Sequence, residues 1–453
     1  MKSFFRRFWP GASTVVPPQR PPSDPAPPRD VPPATIAGPA AMDALLAVGA
    51  RRPLISSGGQ VAGYEFRLGD GVLQRLARRT DQQGQAAYLA ALLASARLMA
   101  QTGRVGFARL PIDWMVHGAA SQAVPNTWIA LEQTAATDLS PALVPGIAQA
   151  VAQLRSTGAK VGWGVTTVLG LPPDFVLLRQ GPDPMAAVLG AVKTWPGTLR
   201  GLPIVATDIA NVDDLELALG GGISMVCGAL TPSGGGSEPS RVVPVRPEVR
   251  RVGSLLHQLV AGAETPEIVA QIKGDVGLSY ELLRRINSAS LAHLNAGASI
   301  DSAVLLLGRN ELYRWLSVLL LQFGTHRKAA SALHEVALWR SRLFELLATE
   351  AREPAPGQLF TLGLSSMLAQ ILGITVADVV ATLKLPEPAV QALQSQAGPW
   401  ARYLELAQVL EAHLLDDRAA LAAAFGGVAR VAGLSNEAWE WAATHARADN
   451  GAA

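Results

Sequence analysis

The chain has 453 residues, of which 49% are hydrophobic and 16% are charged, and its formal net charge is +2. This length predicts two or three domains, and the nearly balanced charge argues against an extended face for nucleic acid, so we expect no nucleic-acid partner. The single cysteine, Cys227, excludes an internal disulfide and fits a reducing compartment, from which we expect a cytoplasmic protein.

Residues 1–45 are predicted to form a disordered, proline-rich N-terminal tail. The stretch "PPQRPPSDPAPPRDVPP" blocks helix and sheet and favours extended polyproline segments. The opening "MKSFFRRFWP" lacks the continuous apolar core of a signal peptide. Its aromatic and arginine side chains could contact a membrane surface, and this stays an alternative role for the tail.

Residues 46–232 alternate short strand-like runs with helical stretches. The strand-like runs include "RVGFARLPI", "TWIALEQT", "AKVGWGVTTV", "DFVLLRQG", "LPIVATDI" and "ISMVCGAL". One helix is predicted over 141–157, with Ser140 as its N-cap and Pro141 in its first turn. Alternation at this spacing predicts parallel strand pairing in an α/β barrel or a doubly wound sheet.

A Gly/Ser/Pro-rich linker at 233–249 precedes a stretch, 250–447, whose apolar period changes to three or four residues. Leu312, Trp315, Leu316 and Leu319 follow this helical spacing, so we predict an all-helical domain. The uncharged run "LFTLGLSSMLAQILGITVA" is interpreted as a buried helix pair rather than a membrane span.

The histidines do not form a recognisable metal-binding motif. None of the seven is followed by aspartate, and no HxxxH or HExxH spacing occurs. His334 beside Glu335 comes nearest to a ligand pair, but we interpret it as structural because two ligands cannot fill a closed metal site. We therefore predict no metal and no cofactor.

The helical stretch resembles the HDOD domain, a relative of the metal-dependent HD hydrolases. The resemblance is carried by "LLRRINSASL", by "IDSAVLLLGRNELYRWLSVLLL" and by the run that begins "LFTLGLSSMLAQILG". In an HD enzyme the His-Asp pair would fall near Ser366 and Met367, neither of which binds a metal well. Asn287 is interpreted as a residue that orders a helix junction.

The preceding stretch is similar to the EAL domain, a barrel that hydrolyses cyclic di-GMP. "RRPLISSGGQVAGYEFRLGDG" resembles its first hairpin and signature and places Glu65 at the first metal-binding glutamate. An expected asparagine ligand is replaced by Arg109, whereas Glu132 survives and Asp208 is a remaining acid. Other ligand positions hold residues that bind no metal: Ala135, Gly164, Val165, Thr207 and Ala210.

The resemblance therefore implies a fold of α/β plus all-α type, with a degenerate EAL-like barrel followed by an HDOD domain. Because two-metal phosphodiester cleavage needs several oxygen ligands, we expect no enzyme activity. We predict a non-catalytic signalling or scaffold protein that contacts other signalling proteins. The surface candidates are Arg284, Arg285, Asn287, Arg309 and Arg314. The alternative is a catalytically dead receptor for cyclic di-GMP or another nucleotide, in which Arg109 and Arg179 pair with phosphates.

Overall fold

The structure, a computed structural model, describes residues 51–78, 82–117, 123–133, 139–167, 169–230, 242–286, 299–324, 327–412 and 418–450. The predicted N-terminal tail, most of the predicted linker and Asn287 lie outside these ranges. Within the described residues, no helix is both long enough and apolar enough to cross a membrane.

Eight strands close into a barrel in chain order. They are β1 (Arg52–Ser56), β2 (Val61–Phe66), β3 (Val105–Pro111), β4 (Thr127–Glu132), β5 (Lys160–Trp163), β6 (Val176–Arg179), β7 (Ile204–Ile209) and β8 (Met225–Gly228). The pairs from β2 to β8 are parallel, as predicted, whereas β1 is antiparallel to both of its neighbours, β2 and β8. The barrel, one of the two predicted arrangements, is therefore the one that forms.

Helices accompany the barrel strands. They are α1 (Asp70–Arg78), α2 (Gln82–Gln101), α3 (Val144–Ser156), α4 (Met185–Val192) and α5 (Val212–Gly220). The predicted start of α3 was wrong. Residues 141–143 form a turn in which the Leu143 N–H donates to the Ser140 carbonyl at 2.9 Å, so the helix begins at Val144 and Pro145 lies in its first turn.

Gly63 allows β2 to lie close to β3. A Cβ atom at this position would stand 1.9 Å from the carbonyl oxygen of Val105, inside van der Waals contact with backbone. A side chain here would therefore push the two strands apart. Because Glu65 follows on the same strand, this close approach also fixes the position of Glu65 along the barrel axis.

The second half of the chain is helical, as predicted. Its helices are α6 (Pro247–Val260), α7 (Thr265–Lys273), α8 (Val276–Ile286), α9 (Ile300–Gln322), α10 (Ala330–Glu350), α11 (Pro356–Leu372), α12 (Val376–Leu383), α13 (Glu387–Ser395), α14 (Ala401–Glu411), α15 (Ala419–Ala423) and α16 (Val428–Asn450). The first of these begins inside the segment predicted as linker.

Two of these helices show where the apolar residues of the sequence pattern are buried. The predicted stripe on α9 is buried at Leu312, Trp315, Leu316 and Leu319, and the helix is interrupted at Gly308, where φ is 74°. The uncharged run at 359–377 forms α11 and the start of α12, with most of its apolar side chains in the core. Burial against neighbouring helices thus accounts for the missing charges.

Candidate functional site: an arginine-filled barrel mouth

The barrel interior changes from apolar to charged toward one end. Alternate residues of a strand share a face, and on three strands a buried interior residue is followed two positions later by a charged one. These pairs are Phe107 and Arg109, Ala130 and Glu132, and Leu177 and Arg179. The charged residues therefore gather at the carboxyl ends of the parallel strands, the end at which barrel enzymes usually place their sites.

Arg109 lies at the centre of this charged group. Its guanidinium is 2.7 Å from a carboxylate oxygen of Glu65, 2.6 Å from Glu132 and 2.8 Å from Asp208, and its side chain is 1% exposed. The structure thus brings together all four residues of the predicted vestigial site. We call these four residues, with Arg52, Arg67 and Arg179, the mouth cluster.

Two carboxylates of the mouth cluster, Glu65 and Asp208, are held ionised by the arginines. Burial alone would raise the pKa of Glu65, but Arg109, Arg52 and Arg67 outweigh it and keep that pKa below its usual value. Burial likewise opposes ionisation of Asp208, and its bonds to Arg109 lower its pKa well below the usual range. The reciprocal effect raises the pKa of Arg109 despite its burial.

Asp208 reaches the cluster from an unusual backbone position. Its φ is 59°, in the left-handed region that residues other than glycine seldom adopt, although aspartate tolerates it better than most. From here its carboxylate contacts Arg67 at 2.8 Å, Arg179 at 2.9 Å and Arg109. Three guanidinium groups therefore converge on one carboxylate, which stabilises a backbone conformation that costs about 1–3 kcal/mol.

Arg52 and Arg67 are cluster members that the sequence reasoning missed. Arg67 comes two residues after Glu65, and Arg52 is paired directly with Glu65 across β1 and β2. Both positions could have been found from the two-residue period once Glu65 was placed in the interior. With them, the cluster holds four guanidinium groups and three carboxylates.

This arrangement does not fit a divalent cation. Each of the three carboxylates that could ligate one already accepts a hydrogen bond from Arg109, whose charged group stands between them. The excess of guanidinium groups would also repel a dication, since hard cations need a surplus of oxygen ligands. No set of three or more His, Cys, Asp or Glu side chains arranged to hold a metal occurs in the described ranges.

Cys227 lies at the base of the mouth cluster and is not poised as a nucleophile. Its thiol donates a hydrogen bond to Glu65 at 3.2 Å and is fully buried. Burial, together with the adjacent Glu65 charge, raises the pKa of the thiol well above its ordinary value.

A second buried ion pair joins the barrel to the helical half, which belong to one compact unit. Arg104, at the start of β3, contacts Glu335 of α10 at 2.8 Å, and the hydroxyl of Tyr64 also donates to Glu335. The Tyr64 ring packs edge-on against Trp439, with ring centroids 5.3 Å apart. Glu335 therefore belongs to the contact between the halves.

An arginine also occupies the region where an HD enzyme would carry its His-Asp pair. Arg340 donates to the hydroxyl of Ser366 at 3.1 Å and pairs with Glu411 at 2.6 Å, and Met367 is fully buried. The buried polar group at this place is thus a guanidinium with a carboxylate partner.

Two of the arginines predicted as a docking surface, Arg309 and Arg314, line one recess of the helical half. Arg309 donates to the carbonyls of Leu259 and Ala263, where it caps the end of α6. Arg314 pairs with Glu311 at 2.6 Å and, with Arg285, lines a small recess. Arg284 is exposed and pairs with Glu281 on its own helix at 2.6 Å.

Comparison with known proteins identifies the helical half. Residues 249–397 match the HDOD domain family. The chain is 31% identical over 152 residues to the "Uncharacterized protein YuxH" of Bacillus subtilis, which is 33% of this chain and 37% of that protein. It is 29% identical over 145 residues to the "Cyclic di-GMP phosphodiesterase CdgJ" of Vibrio cholerae, which is 32% of this chain and 33% of that protein. The matches thus span about a third of each relative.

A search of solved structures finds the EAL domain of Xanthomonas citri FimX in complex with cyclic di-GMP. That structure covers 42% of this chain and 89% of its own, with 13% sequence identity and a TM-score of 0.30.

Proposed function

Because the chain contains an HDOD domain at residues 249–397, we propose that it is a non-catalytic signalling protein that acts through protein contacts of its two halves. The observation that carries this proposal is the position of Arg109 among Glu65, Glu132 and Asp208. The guanidinium supplies, inside the chain, the positive charge that a catalytic metal would supply to a phosphodiesterase. The carboxylates are consequently satisfied without a cofactor.

Turnover of cyclic di-GMP is the direct test of the non-catalytic part. The purified chain should form no linear product with magnesium or with manganese, whereas the Vibrio cholerae phosphodiesterase, assayed in parallel, should do so. Cyclic di-GMP binding is measured separately by calorimetry. Appearance of linear product from the purified chain would overturn the proposal, and saturable binding without product would favour the receptor alternative.

The exposed apolar residues favour the helical half as the contact surface. Of the eight large apolar side chains that are exposed in the described residues, five belong to helices of this half, and Val276 is 85% and Leu305 is 71% exposed. Contiguous exposed apolar patches, rather than single side chains, are typical of surfaces that bind other proteins, so we propose these side chains as anchors to be tested. Their position, rather than that of the paired arginines, therefore predicts where a protein partner binds.

A comparative capture experiment tests this surface. Leu305→Glu and Val276→Glu should each reduce capture of partner proteins from a native lysate about tenfold, as expected for loss of an apolar anchor. Leu98→Glu is the matched control, because Leu98 is 61% exposed on the barrel half. If all three variants capture the same proteins equally, the helical surface is not the contact.

A further inference from the structure

Arg52 contacts both halves of the chain at once. Its Nε donates to the backbone carbonyl of Glu411, and its Nη1 lies 3.9 Å from a Glu65 carboxylate oxygen and 3.8 Å from an Asp208 oxygen. The side chain is 13% exposed, so water screens these interactions only in part. One guanidinium is thus shared between the mouth cluster and the helical half.

Glu411 is placed to transmit a displacement of Arg52 to the helical half. It is the last residue of α14, where the backbone carbonyls have no intrahelical donor and the helix dipole favours a cation. Its carboxylate accepts bonds from Arg340 Nε at 2.8 Å and Nη2 at 2.6 Å. Arg340 in turn donates to Ser366 of α11. A continuous set of polar contacts therefore runs from the barrel mouth to the interior of the helical half.

Charge balance makes Arg52 the most responsive arginine of the mouth cluster. It lies 3.8–3.9 Å from its carboxylates, whereas Arg67, Arg109 and Arg179 each have a carboxylate oxygen within 2.9 Å. Removing one carboxylate charge would leave four guanidinium groups facing two acids, and their mutual repulsion would rise. The arginine held least closely should then shift most, and Arg52 is anchored on the helical side.

We propose that Arg52 transmits changes in the charge of the mouth cluster to the C-terminal turn of α14, and through Glu411 to Arg340. The inference goes beyond the proposed function, because it describes how an event at the barrel mouth reaches the helical half. It concerns the folded chain alone and holds with or without turnover of a substrate. Failure of the hydrolysis assay and failure of this inference are therefore distinguishable.

Hydrogen exchange of the full chain, followed by mass spectrometry, tests the coupling. Asp208→Asn keeps the shape of the side chain and removes its charge. Exchange of the amides of 408–412 should accelerate on the order of tenfold, within the range of coupling between neighbouring charged groups. The matched control is Asp174→Asn, since Asp174 pairs with Arg155 at 2.9 Å on the barrel and should leave 408–412 unchanged.

The role of Arg52 is isolated in a second background. In Arg52→Gln, the same amides should exchange faster than in the natural chain, and adding Asp208→Asn should produce no further change at 408–412. Unchanged exchange in a folded Asp208→Asn chain, or an acceleration that persists without Arg52, would overturn the inference. If Asp208→Asn does not fold, Glu132→Gln is used in its place in both backgrounds, because it removes a charge from the same cluster.

Discussion

Replacing Arg109 with methionine is expected to lower the free energy of unfolding by about 3–5 kcal/mol at neutral pH, the usual cost of removing one partner of a buried ion pair. Methionine retains most of the apolar stem of arginine, so the loss reflects charge rather than volume. It leaves Glu65, which is fully buried, with only the more distant Arg52 and Arg67 as counter-charges. Urea unfolding of the variant and of the natural chain measures the difference.

The penalty of Arg109→Met should depend on pH. In the natural chain the folded-state pKa of Glu65 is lowered, so its contribution to stability is present above the ordinary glutamate pKa and is lost on acidification. Without Arg109, burial dominates and raises the pKa of Glu65 above its unfolded value. The folded variant then takes up a proton that the unfolded chain does not, so the deficit at pH 5 should be smaller than the deficit at pH 8.

Arg155→Met is the control for Arg109→Met. Arg155 and Asp174 form a pair at 2.9 Å in which both side chains are about a third exposed or less, 26% and 32%. A partly exposed pair contributes about 0–1 kcal/mol. If Arg109→Met costs no more than Arg155→Met, and its cost is the same at pH 5 and pH 8, the mouth cluster is solvated in solution and does not act as a buried counter-charge.

The resemblance to the EAL domain, rather than local sequence rules, predicted that Glu65, Arg109, Glu132 and Asp208 belong to one site. The alternation of apolar and charged residues along each strand determines which side chains enter the barrel. Glu65, Arg109 and Glu132 follow that alternation and meet at one end because parallel strands end together. The placement of Asp208 could not be predicted in this way, since its carboxylate is directed by a left-handed backbone that breaks the alternation.

The contacts between the halves were beyond the sequence reasoning for a different reason. Arg52 and Glu411 are 359 residues apart, and Tyr64 and Glu335 are 271 apart. Periodicity tells which face of an element is buried, but not which distant element covers it. The predicted boundaries at 46–232 and 250–447 follow composition, and composition does not reveal that charged residues of one half are neutralised by the other.

The ion pair of Arg104 and Glu335 lies in the contact between the barrel and the helical half, and we expect it to contribute strongly to the stability of that contact. Glu335→Gln is expected to lower the free energy of unfolding by about 3–5 kcal/mol, because it removes the charge that pairs with the Arg104 guanidinium, which is 10% exposed. The hydroxyl of Tyr64 would compete for the same amide oxygen. Urea unfolding followed by tryptophan fluorescence measures the loss, and Trp439, which packs against Tyr64 and stacks on Trp339, contributes to the signal.

A compensated variant separates charge from packing at this joint. When Arg104→Met and Glu335→Met are combined, both charges of the pair are removed. The double variant should regain at least half of the stability lost in Glu335→Gln, because buried ion pairs are often replaceable by apolar residues of similar volume. Glu350→Gln, which breaks an exposed pair with Arg430, should leave the free energy of unfolding nearly unchanged. Recovery in the double variant would mean that the pair selects the relative position of barrel and helices more than it stabilises them. If the double variant is no more stable than Glu335→Gln, the polar contacts themselves hold the two halves together. The contact between Arg52 and Glu411 then belongs to an interface that cannot be made apolar.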